Sequence, residues 1–391
     1  MLAIRDTVHK WIQVSPAEMK LIDHPLFQRL RHIKQLTGAN LVYPDACHTR
    51  FSHSLGVMYV ATLYAKSIAA KYPQDYTPQW VANVRIAALL HDIAHGPFSH
   101  AWDHYIYSRI YPYTDKGHDE HRKKLVRSEP FCECITDCGV SPEDVIQVWE
   151  DRGVAGAIVS GPLGADRTDF LLRDSHMCGM QHLGGIDYFR LMHNVEVRNN
   201  HLIYPSKLLA EIEAFLSGRI AMYDNVYLHK TAIAADYILM HIIQNSCDQL
   251  ELVERTIDLD KFVYLTDSSI IEGAKSVDSA KRYVERYLNR DLPKLIPCES
   301  TTHGSGINTR DLETLDKTKF NMYNIQIQDD GIYYNAYEWL QQNSTIRDKT
   351  IKRNFLLKIP RMSVISLITE NYGVTSATAV AIISRIRSIN F

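Results

Sequence analysis

The sequence predicts a mainly α-helical chain with a smaller mixed α/β lobe at its C-terminal end. Helix-entry signals recur through the first half, apolar residues keep helical spacing as far as about residue 260, and β signals are few and short. Beyond that point Ser/Thr/Gly-rich stretches such as residues 300–306 suggest a change of character, which divides the chain softly into 1–260 and 261–391. A length of 391 residues, at ~150 per domain, allows two to three domains and a large core without disulfide staples.

The first helix entry is Ser15-Pro16-Ala17-Glu18, with a hydroxyl at the N-cap, Pro at the first helical position and Glu placed for a reciprocal bond. Met19, Ile22, Phe27, Leu30, Ile33 and Leu36 then keep roughly helical spacing, as do Leu55, Met58, Tyr59, Leu63 and Ile68 in the next segment. Thr77-Pro78 opens a third helix, read from Trp80 to His95 and stopped by Gly96-Pro97. Ser141-Pro142-Glu143-Asp144 repeats the first entry. Two hairpins are expected, at 195–204 about Asn199-Asn200 and at 324–334 about Asp330-Gly331.

Composition excludes several classes. Hydrophobic residues at 46% and charged residues at 23% argue against a disordered tail or a fibre. Lys plus Arg, 43, balances Asp plus Glu, 45, so nothing global favours nucleic acid, and any such binding must be local. No apolar run approaches ~18 residues and the charged start is no secretory signal, so a cytoplasmic or other reducing compartment and no membrane partner are expected. Seven scattered cysteines fit free thiols in such a compartment. Cys132, Cys134 and Cys138 lack the paired spacing of structural zinc, and the basic cluster from Arg347 to Arg361, interleaved with Phe355 and Leu356, could bind nucleic acid or an effector phosphate but reads more readily as a solvated helix face.

The informative stretch is His91-Asp92-Ile93-Ala94-His95-Gly96-Pro97-Phe98-Ser99-His100, followed by Asp103. His91 and His95, four apart at a helix end, should project from one face with Asp92 beside them. Mixed nitrogen and oxygen ligands suit Mn or Fe as well as Zn. Upstream, Arg50 and His53 lie three apart at a helix start, the Arg suited to phosphate and the His to metal. Downstream, Asp166, Phe170 and Asp174 share one face of an Asp/Arg-rich helix. Arg219, Tyr223, Tyr227 and Lys230 form a basic and aromatic stripe on another helix.

The ordered motifs LFQRLRHIKQL, HTRFSHSLGV, LLHDIAHGPFSH, DRTDFLLRD and MYDNVYLHK resemble the HD-domain phosphohydrolases, and within them the deoxynucleoside triphosphate triphosphohydrolases. The resemblance covers roughly residues 5–245 and implies an HD-domain helical core that hydrolyses dNTPs to deoxynucleoside and triphosphate. It makes His53, His91, Asp92 and Asp166 the metal ligands, with Mg expected on the phosphates. Water activated by the metal would attack the α-phosphorus while Arg50 and Arg167 hold the developing charge. His100 is the candidate donor to the leaving 5'-oxygen. His95, Asp103 and His118 complete the catalytic candidates, with His121 a rival for the place of His118.

By the same resemblance Arg219 serves the phosphates, Tyr223 belongs to the substrate stripe and Tyr227 crowds the sugar 2' position. Gln35 and Asp174 bond the 3'-hydroxyl, and Leu36 packs near the base. Phe170 stands where tyrosine is usual. Asp23, Gln28 and Arg31 resemble an effector site for GTP or a dNTP at a subunit contact. Asp6 and His9 also fit the family's N-terminal pattern, but an expected lysine is missing near Leu2. A dimer or tetramer weakly dependent on effector is therefore expected. The runner-up functions are another HD phosphohydrolase, either a 5'-nucleotidase or a single-strand nuclease, and an inactive nucleotide-binding regulator.

Overall fold

The computed structural model describes residues 2–114, 116–180 and 186–293. The expected hairpin at 324–334, the basic cluster from Arg347 to Arg361 and the 300–306 stretch lie outside the described residues. Within them the chain is mainly α-helical, with two small antiparallel hairpins.

One of these hairpins had no counterpart in the sequence reading. Strands β1 (Leu2–Asp6) and β2 (Lys10–Val14) pair in register from Leu2 with Val14 to Asp6 with Lys10. The signal was a short period-two alternation: Ile12 and Val14 are buried, whereas Trp11 points outward. The second hairpin joins β3 (Glu196–Arg198) to β4 (His201–Ile203), where Asn199 and Asn200 both take the left-handed conformation that a two-residue primed turn requires.

Helix α1 (Pro16–Asp23) begins with a complete capping box between Ser15 and Glu18. The Ser141 to Asp144 box opens the Pro142–Glu150 helix in the same way, and Thr77 caps α4 (Pro78–Leu89). Between α1 and α4 the chain forms the short helix α2 (Pro25–Gln28) and then the 22-residue helix α3 (Arg50–Lys71). The apolar pattern expected over 27–36 is therefore broken into short turns, because Ile33 and Gln35 exchange backbone bonds with Arg50 and His48 instead of continuing a helix.

Helix α3 is the central element. Its buried Val57, Met58, Val60, Ala61 and Tyr64 pack against α4 and the Ala165–Met177 helix. Gly56, in the second turn of α3, is what permits the second contact: a β-carbon there would stand 1.8 Å from Asp169 Oδ1. Past residue 260, the Asp267–Ala274 and Asp278–Leu288 helices pack on the Lys230–Ser246 helix.

Candidate metal centre and its surroundings

The turn that carries His91 and Asp92 starts one residue after α4 ends. The sequence reading extended this helix to His95, but α4 stops at Leu89, and residues 90–94 form a turn. The backbone carbonyls at and beyond the helix end are taken up by side chains, one local and the others distant. His91 Nδ1 bonds the carbonyl of Ala88, Arg122 donates to that of His91, and Tyr107 to that of Ala94. Arg29, fully buried over the ring of Phe262, donates to the carbonyls of Ile93 and His95. A helical i to i+4 placement of His91 and His95 is thus corrected, and the two imidazoles serve different clusters.

The first cluster joins His53 on α3, His91 and Asp92 on the turn, and Asp166 on the Ala165–Met177 helix. The Nε2 atoms of His53 and His91 lie 3.3 Å apart, and Asp92 Oδ1 is 3.3 Å from the latter. Asp166 Oδ1 is 3.2 Å from His53 Nε2 and 3.9 Å from His91 Nε2. For ligand bonds of ~2.1 Å, neighbouring donors around one cation stand about 3.0–3.4 Å apart, so His53, His91 and Asp92 form a group that could hold a divalent transition metal, with Asp166 beside them, close to His53 but wider of His91.

The electrostatics agree. Burial alone would lower His53, but hydrogen bonds to Asp166 and Asp169 outweigh it and raise the ring to about 10. Burial opposes ionisation of Asp166, yet the His53 bond and the neighbouring charges bring it down to about 2. Asp92 is held well below the usual carboxylate range: burial works against this, and the Arg50 guanidinium, with the His91 and His95 rings beside it, prevails. A site this rich in negative charge keeps a proton on His53 and would give it up to a cation.

Arg50, expected at a phosphate, is buried at the first turn of α3, where Nη1 pairs closely with Asp92 Oδ2. Its Nε and Nη2 donate to Ser99 Oγ at 3.2 and 2.8 Å. It therefore braces a metal-group carboxylate while facing the cluster.

The second cluster is His95, Asp103 and His118. His118 Nδ1 lies 2.8 Å from Asp103 Oδ1, and its ring stacks on His95 at a centroid distance of 4.6 Å. His100 Nδ1 approaches the other oxygen of Asp103 at 3.8 Å, and its side chain is 40% exposed. Burial, reinforced by the charge of Arg50, pushes His95 down to about 3, so it is neutral. His118 is shifted upward, because Asp103 outweighs the effect of burial. His121, the rival, lies in the core among Tyr107, Tyr111 and Phe262.

Further along the Ala165–Met177 helix, His48 Nε2 lies 2.7 Å from Asp174 Oδ1, and Tyr227 donates to Asp174 Oδ2 at 2.7 Å. Phe170 meets Tyr227 edge-on. Gln35 Oε1 is buried without a partner within the described structure, a polar atom available to a ligand, and Leu36 beside it is half-buried. Arg167 donates to the carbonyls of Ser160 and Gly161.

The stripe from Arg219 to Lys230 is not one α-helix. The Leu209–Met222 helix passes into a π-turn over Tyr223–Tyr227, and a new helix starts at Lys230. Tyr223 and Tyr227 are thus rotated away from simple 3.6-residue spacing, and they meet edge-on. Asp23 is exposed, Gln28 donates to the carbonyl of Ile22, and Arg31 lies over the ring of Phe51 while donating to Gln28 Oε1.

Sequence reasoning missed the support behind His53. Asp169 is fully buried and touches His53 Nδ1, His9 Nε2 and the Arg173 guanidinium, while Arg173 also holds Asp6. The signal lay in the motif itself, since Asp169 falls three residues after Asp166, one turn further along the same helix. The six described cysteines are free, and neither metal-competent cluster among the described residues includes Cys132, Cys134 or Cys138. Among those residues no helix is long and apolar enough to cross a membrane.

Comparison with known families agrees with this arrangement. Residues 50–147 match the HD domain and residues 186–327 the HD associated region. An uncharacterized protein of Methanocaldococcus jannaschii is 32% identical over 298 residues, covering 75% of this chain and 59% of its own length. The deoxynucleoside triphosphate triphosphohydrolase SAMHD1 of Homo sapiens is 27% identical over 366 residues, covering 81% of this chain and 58% of its own. An HD domain-containing protein of Acanthamoeba polyphaga mimivirus is 30% identical over 308 residues, covering 73% and 66% respectively. The chain thus spans about three fifths of the length of the first two of these relatives. An HD domain with the metal-competent cluster inside it, followed by the HD-associated region, places this chain in the HD-domain family.

Proposed function

We propose that this chain is a metal-dependent phosphohydrolase that cleaves dNTPs to deoxynucleoside and triphosphate. The observation that carries the reading is the link between the two clusters: Asp92 belongs to the metal group and also lies 3.3 Å from His95, which stacks on the Asp103-bound His118. An electrophile-binding centre and a proton-handling group are thereby set side by side.

A divalent cation on His53, His91, Asp92 and Asp166, whether Mn, Fe or Zn, would supply an activated water and neutralise phosphate charge. Arg50 sits where it can add positive charge, and a second cation such as Mg fits the remaining phosphate charge. Asp103 holds His118, favouring its protonated form, and orients the more exposed His100, which donates the proton to the leaving 5'-oxygen. Tyr227, fixed through Asp174, limits the room at the sugar 2' position, and Gln35 with Asp174 offers partners for a 3'-hydroxyl. Arg167, Arg219 and Tyr223 line the approach of the polyphosphate. Asp23, Gln28 and Arg31 are proposed as an effector site for GTP or a dNTP at a contact between copies, in a dimer or tetramer.

The test is incubation of the purified protein with each dNTP and Mn²⁺, with the products separated by anion exchange. Triphosphate and deoxynucleoside are expected. Orthophosphate from monophosphates, or cleavage of single strands, would replace this reading with a nucleotidase or nuclease.

A further inference from the structure

Asp267 opens the Asp267–Ala274 helix, inside the HD-associated region and far in sequence from the metal ligands. The helix start does not need its carboxylate, because Thr266 and Ser269 already form a complete capping box. The side chain turns back on two other segments. Its Oδ1 accepts the N–H of Phe98 at 3.0 Å and its Oδ2 the N–H of Lys34 at 2.9 Å. The residue is 8% exposed.

Both amides belong to walls of the site. Phe98 and Ser99 are non-glycine residues with φ of +57° and +51°, strained conformations that persist only under outside restraint. Ser99 is the partner of Arg50, which grips Asp92, and His100 follows directly. Lys34 bridges Thr49 at the entry to α3 and precedes Gln35. Two residues before Asp267, the carbonyl of Leu265 accepts from Arg29, whose other terminal nitrogen holds the His91–His95 turn.

We propose that Asp267 is a positioning residue: its two carboxylate oxygens tie the 96–99 turn to the 33–35 segment and so set Ser99, Arg50 and His100 against the metal group. The associated region is then a working part of the site. The proposal rests on the hydrolase reading above, and its test separates the two.

Asp267→Asn keeps shape and volume but can accept only one of the two N–H groups. Misplacement of the turn should lower kcat on a dNTP with Mn²⁺ roughly 10–100-fold, with a much smaller change in KM and with metal content retained. Hydrogen exchange should quicken in peptides covering 33–37 and 94–100 and stay unchanged in the core of α3. If the Asn variant does not fold, Asp267→Ser, which is smaller and brings no amide group against the second N–H, is read the same way. Full kcat in a folded variant, or exchange that quickens everywhere together with lower stability, overturns the proposal. If the parent protein hydrolyses no dNTP, the hydrolase reading fails, while the exchange comparison still decides whether Asp267 holds the turn.

Discussion

Asp169 grips His53 from behind: its Oδ2 lies 2.8 Å from His53 Nδ1, so the Nε2 of the same ring is turned towards His91 and Asp166. A carboxylate on one ring nitrogen fixes the tautomer and makes the other a better metal donor. His9 and Arg173 hold Asp169 in turn, so the N-terminal hairpin reaches the metal group through one side chain.

Replacing Asp169 by Asn removes the charge and leaves His53 free to choose its tautomer. The expected result is a 10–100-fold loss of metal affinity. Titration with Mn²⁺ or Co²⁺, followed by calorimetry, measures it directly, and unchanged affinity would show that the ring needs no such partner.

His91→Ala and Asp92→Ala each remove a proposed ligand. Turnover should disappear and metal analysis of the purified variants should show the transition metal lost. Asp92→Ala additionally strands the buried Arg50 guanidinium and should cost about 3–5 kcal/mol of stability, as breaking a buried ion pair does. A variant with full metal content and full activity would sink the ligand assignment.

Gly56→Ala tests how closely α3 must approach the Ala165–Met177 helix. On an exposed helix Ala would stabilise by about 1 kcal/mol relative to Gly. Here the added carbon would meet Asp169 Oδ1 at 1.8 Å and Arg173 Nη2 at 2.6 Å, so a loss of about 1–3 kcal/mol by overpacking is expected instead. Urea unfolding gives the sign, and a stabilised variant would contradict the packing described.

The pair of Asp103 and His118 predicts a pH dependence. Burial tends to lower His118, but Asp103 outweighs it and raises the ring above its ordinary value. The stabilisation from this pair is therefore complete below about pH 6.5 and is lost as pH rises through the raised value. Activity that needs the imidazolium should fall over the same alkaline range. Asp103→Asn leaves burial less opposed, so the alkaline limb of kcat/KM should move to lower pH; a limb that stays in place would remove His118 from the proton-handling role.

Much of the chemistry was legible because it is local. The capping boxes at Ser15 and Ser141 need only neighbouring residues, and Asn199-Asn200 announces its own turn. The four proposed metal ligands could be named from ordered motifs. What the sequence alone could not decide was set by groups that meet only when the chain is closed. Arg29 and Arg122 take carbonyls of the turn that follows α4, contacts across 64 and 31 positions that no helical periodicity contains. A π-turn rotates Tyr223 and Tyr227 off the expected stripe. Asp169 and Asp267, unremarkable acids in the sequence, become buried acceptors because helix packing removes water from them and leaves specific N–H groups as their partners. Local rules determined which residues carry the chemistry; long-range hydrogen bonds, strong only where packing has excluded solvent, decided how those residues are aimed.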